Sequence, residues 1–139
     1  MTAEAAGTGT GTGGSDDVAR VLRALNPPVE IDGRVAVATF EPQPEHRGNP
    51  GWLHGGLAAT VLDHVCARAA AAAIGQRVVT GRLDVRYPQP VMLADGPYRV
   101  EATAEEPRGR MVRVVGAILD REGRPMVEAR SLFVTLPDT

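Results

Sequence analysis

His46-Arg47-Gly48-Asn49-Pro50-Gly51-Trp52-Leu53-His54-Gly55-Gly56 runs straight into an Ala-rich stretch, 57–74, that carries Asp63. Pro50 and the glycines punctuate a loop, and the Gly55-Gly56 pair falls where a helical apolar pattern begins. Backbone N–H groups in the first turn of a helix have no partner inside it and sit at the positive end of its dipole. Glycine at such a position lets a ligand oxygen approach with no Cβ in the way. Further along the same helix, Asp63 supplies a carboxylate able to take a proton or attack a carbonyl. The stretch reads as half of an acyl-transfer site.

Working outward, the pattern predicts a helix from about Gly55 to Ile74, closed by Gly75 as its C′ residue. Leu57, Val61, Leu62, Val65 and Ala69 make its core stripe, and Ala58, Ala59, Ala67 and the run 69–73 keep it slim. Small side chains let such a helix lie deep in a curved sheet. Upstream, 29–40 reads as two strands around an Asp32-Gly33 turn, followed by a Pro- and Gly-rich loop. Downstream, 82–87 and 99–105 alternate polar and apolar residues, and 111–120 and 125–136 flank the turn Arg121-Glu122-Gly123. Alternation of that length predicts antiparallel strands with one buried face. At the N-terminus, Ser15 is placed to cap a short helix over 16–25 with an apolar stripe of Val18, Val21, Leu22 and Leu25. Residues 1–15, mostly Gly, Thr and Ala, read as a disordered leader. The expectation is an α+β fold in one domain, 16–139, with a single long helix packed on one antiparallel sheet.

Composition narrows the function classes. A formal charge of −2 gives no general attraction to nucleic acid or anionic membrane. All 15 basic residues are Arg, which reads first as coding bias and only then as a choice for phosphate. The single cysteine, Cys66, excludes an internal disulfide and suits a reducing cytoplasm. No run is expected to approach the roughly 20 apolar residues of a membrane span. Neither His-Glu-x-x-His nor paired Cys spacing is present, so no metal or other cofactor is expected. Only Ser15 and Ser131 occur, neither within Gly-x-Ser-x-Gly, which removes a serine-hydrolase reading.

Nearly the whole domain, from about Asp16 onward, resembles the hotdog-fold acyl-CoA thioesterases, nearest the branch of the phenylacetate-pathway and mammalian superfamily-member enzymes. The strongest match is His46-x-Gly48-x-Pro50-Gly51-x-x-His54-Gly55-Gly56 with Asp63 nine residues after His54. Val79-Thr80 with Leu83-x-Val85-x-Tyr87-x-x-Pro90 matches the following strand, and Gly109-Arg110 with Asp120-x-x-Gly123 matches the last strands more weakly. Many phenylacetate-type enzymes carry Asn six residues before the His of His-Gly-Gly; here that position is Gly48, with Asn49 one place late. The resemblance implies a hotdog fold, one long central helix wrapped by a curved antiparallel sheet. It implies hydrolysis of acyl-CoA or acyl-carrier-protein thioesters without a cofactor. By the same resemblance, the Gly55 or Gly56 N–H donates to the oxyanion and Asp63 acts as base or nucleophile. Thr80 then holds the water or the carboxylate, and His54 assists. Asn49, Trp52, Arg108 and Arg110 are candidates for substrate contact, the two arginines toward phosphate.

Spacing adds a constraint independent of any family. Gly56 and Asp63 are seven residues apart, so they lie roughly 10 Å apart along the helix axis. One thioester carbon cannot touch both on a single chain, so a shared site needs a homo-oligomer: a dimer, or a dimer of dimers making a homotetramer. Two rival functions are a hotdog β-hydroxyacyl dehydratase, with His46 as its loop base, and a non-catalytic acyl-CoA-binding hotdog. Thr60, not an acid, stands fourteen residues after His46, and the intact Asp63 speaks against the second.

Overall fold

The structure, a computed structural model, describes residues 12–137. Six strands form one antiparallel sheet: β1 (Val29–Asp32), β2 (Val35–Phe40), β3 (Val78–Arg86), β4 (Tyr98–Ala104), β5 (Met111–Leu119) and β6 (Pro125–Thr135). Their order is β1-β2-β4-β5-β6-β3. Two helices accompany them, α1 (Thr12–Ala24) and the long α2 (Gly55–Ile74). The fold is the hotdog arrangement expected, with α2 laid across one face of a curved sheet. Helix α1 begins at Thr12, earlier than the Asp16 start expected, and most of the supposed leader lies outside the described residues.

The pleat decides what faces the helix. Val100, Ala102 and Ala104 of β4, Val112, Val114 and Ile118 of β5, and Val127, Ala129 and Phe133 of β6 are all buried. They meet Ala58, Val61, Leu62, Val65, Cys66, Ala69 and Ala70 of α2. Leu57, expected in the core stripe, is only partly buried, while Ala58, Cys66 and Ala70 take the deeper places. The alanines matter because the helix sits so close to the sheet. At Gly116 of β5, a Cβ would stand 2.7 Å from the Cys66 sulfur. Gly75 ends α2 in the left-handed conformation, φ 72°, its N–H bonded to Ala71.

One expectation needs correcting. With 20 residues and a mean hydropathy of 1.4, α2 is long and apolar enough by composition to cross a membrane. The alanine run produces that value, and the helix instead spends its apolar face on the sheet.

Strand β3 departs from strict alternation. Its pairing with β6 slips by one residue between Thr80 and Arg82, so Gly81 is a bulge. A bulge residue counts for nothing in the pleat. Thr80 therefore shares the helix-facing side with Leu83 and Val85, although its parity alone would put it on the other face.

Candidate active site

Two side chains predicted from sequence to work together are in contact. The Thr80 hydroxyl donates to Asp63 Oδ1 at 2.7 Å, across from α2 to β3. The bulge makes this pairing possible, since it turns Thr80 toward the helix. Asp63 also stands near the core edge, close enough that its charge adds to the rise of the Cys66 thiol. Burial is the larger cause of that rise, to about 12. A thiol held there is neutral and inert near neutral pH.

The start of α2 is built by the two motif histidines. His54 is the N-cap, and its Nδ1 accepts the Gly56 N–H at 3.0 Å. Its own N–H donates to the His46 carbonyl at 2.8 Å. His46 is fully buried, stacked on Phe40, with Nδ1 accepting the Gln43 N–H and Nε2 donating to the Val21 carbonyl. Both ring nitrogens of His46 are thus used to tie α1 and the loop to the helix start, leaving no base for dehydration. His64 is likewise engaged, donating to the Pro27 carbonyl. Of the two glycines, Gly56 already gives its N–H to His54, whereas Gly55 opens the helix, where an N–H has no intrahelical partner.

Beside Gly55 lies a cleft of about 370 Å³, lined among others by Trp52, Leu53, Tyr87, Val91 and Val127. Trp52 is 43% exposed over it, and Met92 pairs with Trp52 across a short bridge. The Asn49 carbonyl accepts the Trp52 N–H and closes the turn through Gly51, φ 84°. Gly48 sits close to the cap, where a Cβ would be 3.3 Å from His54 Cα. Arg108 and Arg110 occupy the β4–β5 turn about Gly109, φ 60°. Arg110 donates from Nε and Nη2 to Thr135 at the end of β6, so it also braces the sheet. That turn adjoins Val134 and, through it, Val79, at the Thr80 end of the sheet. Gly55 and its cleft are at the opposite end of β3.

Tyr87 is a site residue beyond those expected from the sequence. It follows β3 with the inward parity of Leu83 and Val85, and its hydroxyl reaches the Gly55 carbonyl at 2.7 Å. A polar aromatic at the inward end of an alternating strand was the available signal.

A hotdog sheet with a polar cluster at the start and middle of its central helix is the frame of a thioesterase-type protein. The chain belongs to the Thioesterase superfamily, whose sequence pattern matches residues 50–127. It is similar to a solved thioesterase superfamily protein at 32% identity, covering 78% of this chain and 56% of that one, TM-score 0.68. It is also similar to a thioesterase superfamily protein from Shewanella loihica PV-4, at 25% identity over 80% of this chain and 91% of that one, TM-score 0.68. A phenylacetic acid degradation-related protein and putative thioesterase of Ralstonia eutropha JMP134 shares the fold at 20% identity, covering 80% and 86%, TM-score 0.70. No curated protein sequence matches the chain.

Proposed function

We propose that the protein hydrolyses acyl thioesters, of coenzyme A or of an acyl-carrier protein, at a site shared between two copies of the chain in the cytoplasm. The observation that carries this reading is the hydrogen bond from Thr80 of β3 to Asp63, which lies on the same helix that begins at Gly55. The acyl group lies in the cleft under Trp52, and the thioester oxygen takes the Gly55 N–H, at the positive end of α2. Asp63 accepts a proton from a water whose oxygen adds to the carbonyl carbon, and Thr80 holds the carboxylate for that role. The tetrahedral oxyanion collapses, the C–S bond breaks, and the thiolate leaves with a proton. Direct attack by Asp63, giving a mixed anhydride that water then opens, uses the same residues.

Helix geometry supports a reading in which the two halves come from different chains. Gly55 and Asp63 are eight residues apart, which is roughly 12 Å of helix axis. Strand β3 runs beside α2 in the opposite sense, with Thr80 at Asp63 and Tyr87 at Gly55. It is also the long edge strand of the sheet, nine residues against four in β1. A second copy added antiparallel along β3, about a two-fold axis near Leu83, exchanges its ends. Asp63 of one chain then stands beside Gly55 of the partner subunit, and the unpaired edge is covered.

The direct test is release of CoA from a panel of acyl-CoAs, with Asp63→Asn as control. The parent is expected to turn over at least one member, and Asp63→Asn to lose about 10² or more of kcat with its melting temperature unchanged. Asp63→Asn activity within a few fold of the parent removes Asp63 from the chemistry.

A further inference from the structure

The peptide that joins Gly55 to Gly56 is held at both of its polar ends by side chains. Its carbonyl, that of Gly55, accepts the Tyr87 hydroxyl at 2.7 Å. Its N–H, that of Gly56, donates to His54 Nδ1 at 3.0 Å. One step upstream, the carbonyl of the His54–Gly55 peptide accepts the Leu57 and Ala58 N–H groups at 3.0 and 3.2 Å. Gly55 therefore sits between two anchored peptides. That matters because a glycine is otherwise the freest residue in φ and ψ, and nothing intrinsic to it would point its N–H in one direction.

We propose that Tyr87 is a positioning residue: it locks the first turn of α2 so that the Gly55 N–H is held toward the substrate oxygen. This rests on the reading of Gly55 as oxyanion donor given above. The hydroxyl is suited to the task. Partial burial raises the pKa of the Tyr87 phenol, so it stays a donor through the working pH range. Its ring packs flat enough on Gly55 that a Cβ there would lie 3.4 Å from two ring carbons, and it also forms part of the cleft wall. Ring and hydroxyl thus have separable duties: the ring shapes the cleft, and the hydroxyl fixes the Gly55 carbonyl, and through it the orientation of the residue whose N–H is aimed at charge that develops only during reaction. His54 completes the clamp from the other end, and its ring bond closes over Gly55 itself.

The experiment compares Tyr87→Phe and Tyr87→Leu with the parent, reading kcat and KM on the best acyl-CoA of the panel, and amide hydrogen exchange at Gly55 and Gly56 by NMR. Tyr87→Phe keeps the ring and loses only the hydroxyl. It is expected to lower kcat about tenfold with KM within about twofold, since an interaction used in the transition state shows in kcat. Exchange at Gly56 is expected to speed up, because one end of its peptide is released. Tyr87→Leu should show the same kcat loss and a higher KM, as the cleft wall is lost too. A Tyr87→Phe enzyme with parental kcat, or one altered in KM alone, overturns the proposal, as does unchanged exchange at Gly56. A parent that releases no CoA from any thioester fails the functional reading instead, and the exchange measurement still decides whether the clamp exists.

Discussion

On the proposed reading Gly55 and Asp63 use one helix in two different ways, Gly55 through its backbone and Asp63 through its side chain. The backbone role has a clean test, because proline is tolerated at the first position of a helix, where its missing N–H was unpaired. His54, the residue before, is already extended at φ −64° and ψ 130°, as a pre-proline residue must be. Gly55→Pro should leave the fold standing and cut kcat by about 10²–10³, as removal of an oxyanion donor does elsewhere. Gly55→Ala keeps the N–H and should cost less, so equal loss in both variants would count against the donor role. Cys66 offers a second residue-scale test. Its thiol is expected to ionise near 9.0 in the unfolded chain and near 12 when folded. Between those values the folded state binds more protons than the unfolded one, so stability falls as pH rises through that window, by at most about 1.4 kcal/mol per pH unit. The raised phenol of Tyr98 acts in the same direction. Denaturant titrations at several pH values should therefore show a shallower alkaline decline in Cys66→Ala than in the parent. At this scale the sequence was most legible in the pairing of Thr80 with Asp63, which the structure brings into contact. The roles of the histidines were not legible, since which ring nitrogen meets which carbonyl depends on contacts such as His46 with Val21, 25 residues away.

Among the elements, α2 was read to the residue, Gly55–Ile74 with Gly75 as its stop, because apolar period and capping glycine agree. The strands were legible for a similar reason, the alternation of one buried face. The bulge was not foreseen. Gly81 inside the strand was the one available signal of a bulge, and without the bulge Thr80 would turn away from Asp63. The closeness of α2 to β5 was foreseen in general from the alanines, but its cost appears only at Gly116. Gly116→Ala drives a Cβ to 2.7 Å from the Cys66 sulfur and 3.2 Å from the Glu101 carbonyl. Overpacking of this kind costs about 1–3 kcal/mol. Thermal melts should show Gly116→Ala lowered by several degrees, with partial recovery in Gly116→Ala/Cys66→Ala, where the sulfur is gone. Additive losses in the double variant would mean that the helix is not packed against β5 at that point.

At the scale of the whole molecule, a single chain offers a sheet with one long edge strand, β3, and, on the proposed reading, the two halves of a site set apart along its helix. The proposal of a second copy rests first on the spacing of the glycine pair and Asp63. The structure adds the direction of β3 beside α2, and the proposed dimer uses it through an antiparallel two-fold that would join the halves. The acyl specificity stayed illegible because the cleft wall is assembled from the loop, α2, the end of β3 and β6, segments far apart in sequence. The most direct measurement is complementation in mixed dimers. Asp63→Asn subunits and Gly55→Pro subunits, each inactive alone, are unfolded together, refolded and separated by tags so that only heterodimers are assayed for CoA release. A site shared across the two-fold predicts about half the parental activity per heterodimer, since one of its two sites then holds both intact parts. Heterodimers that form in good yield and remain inactive would contradict the shared site.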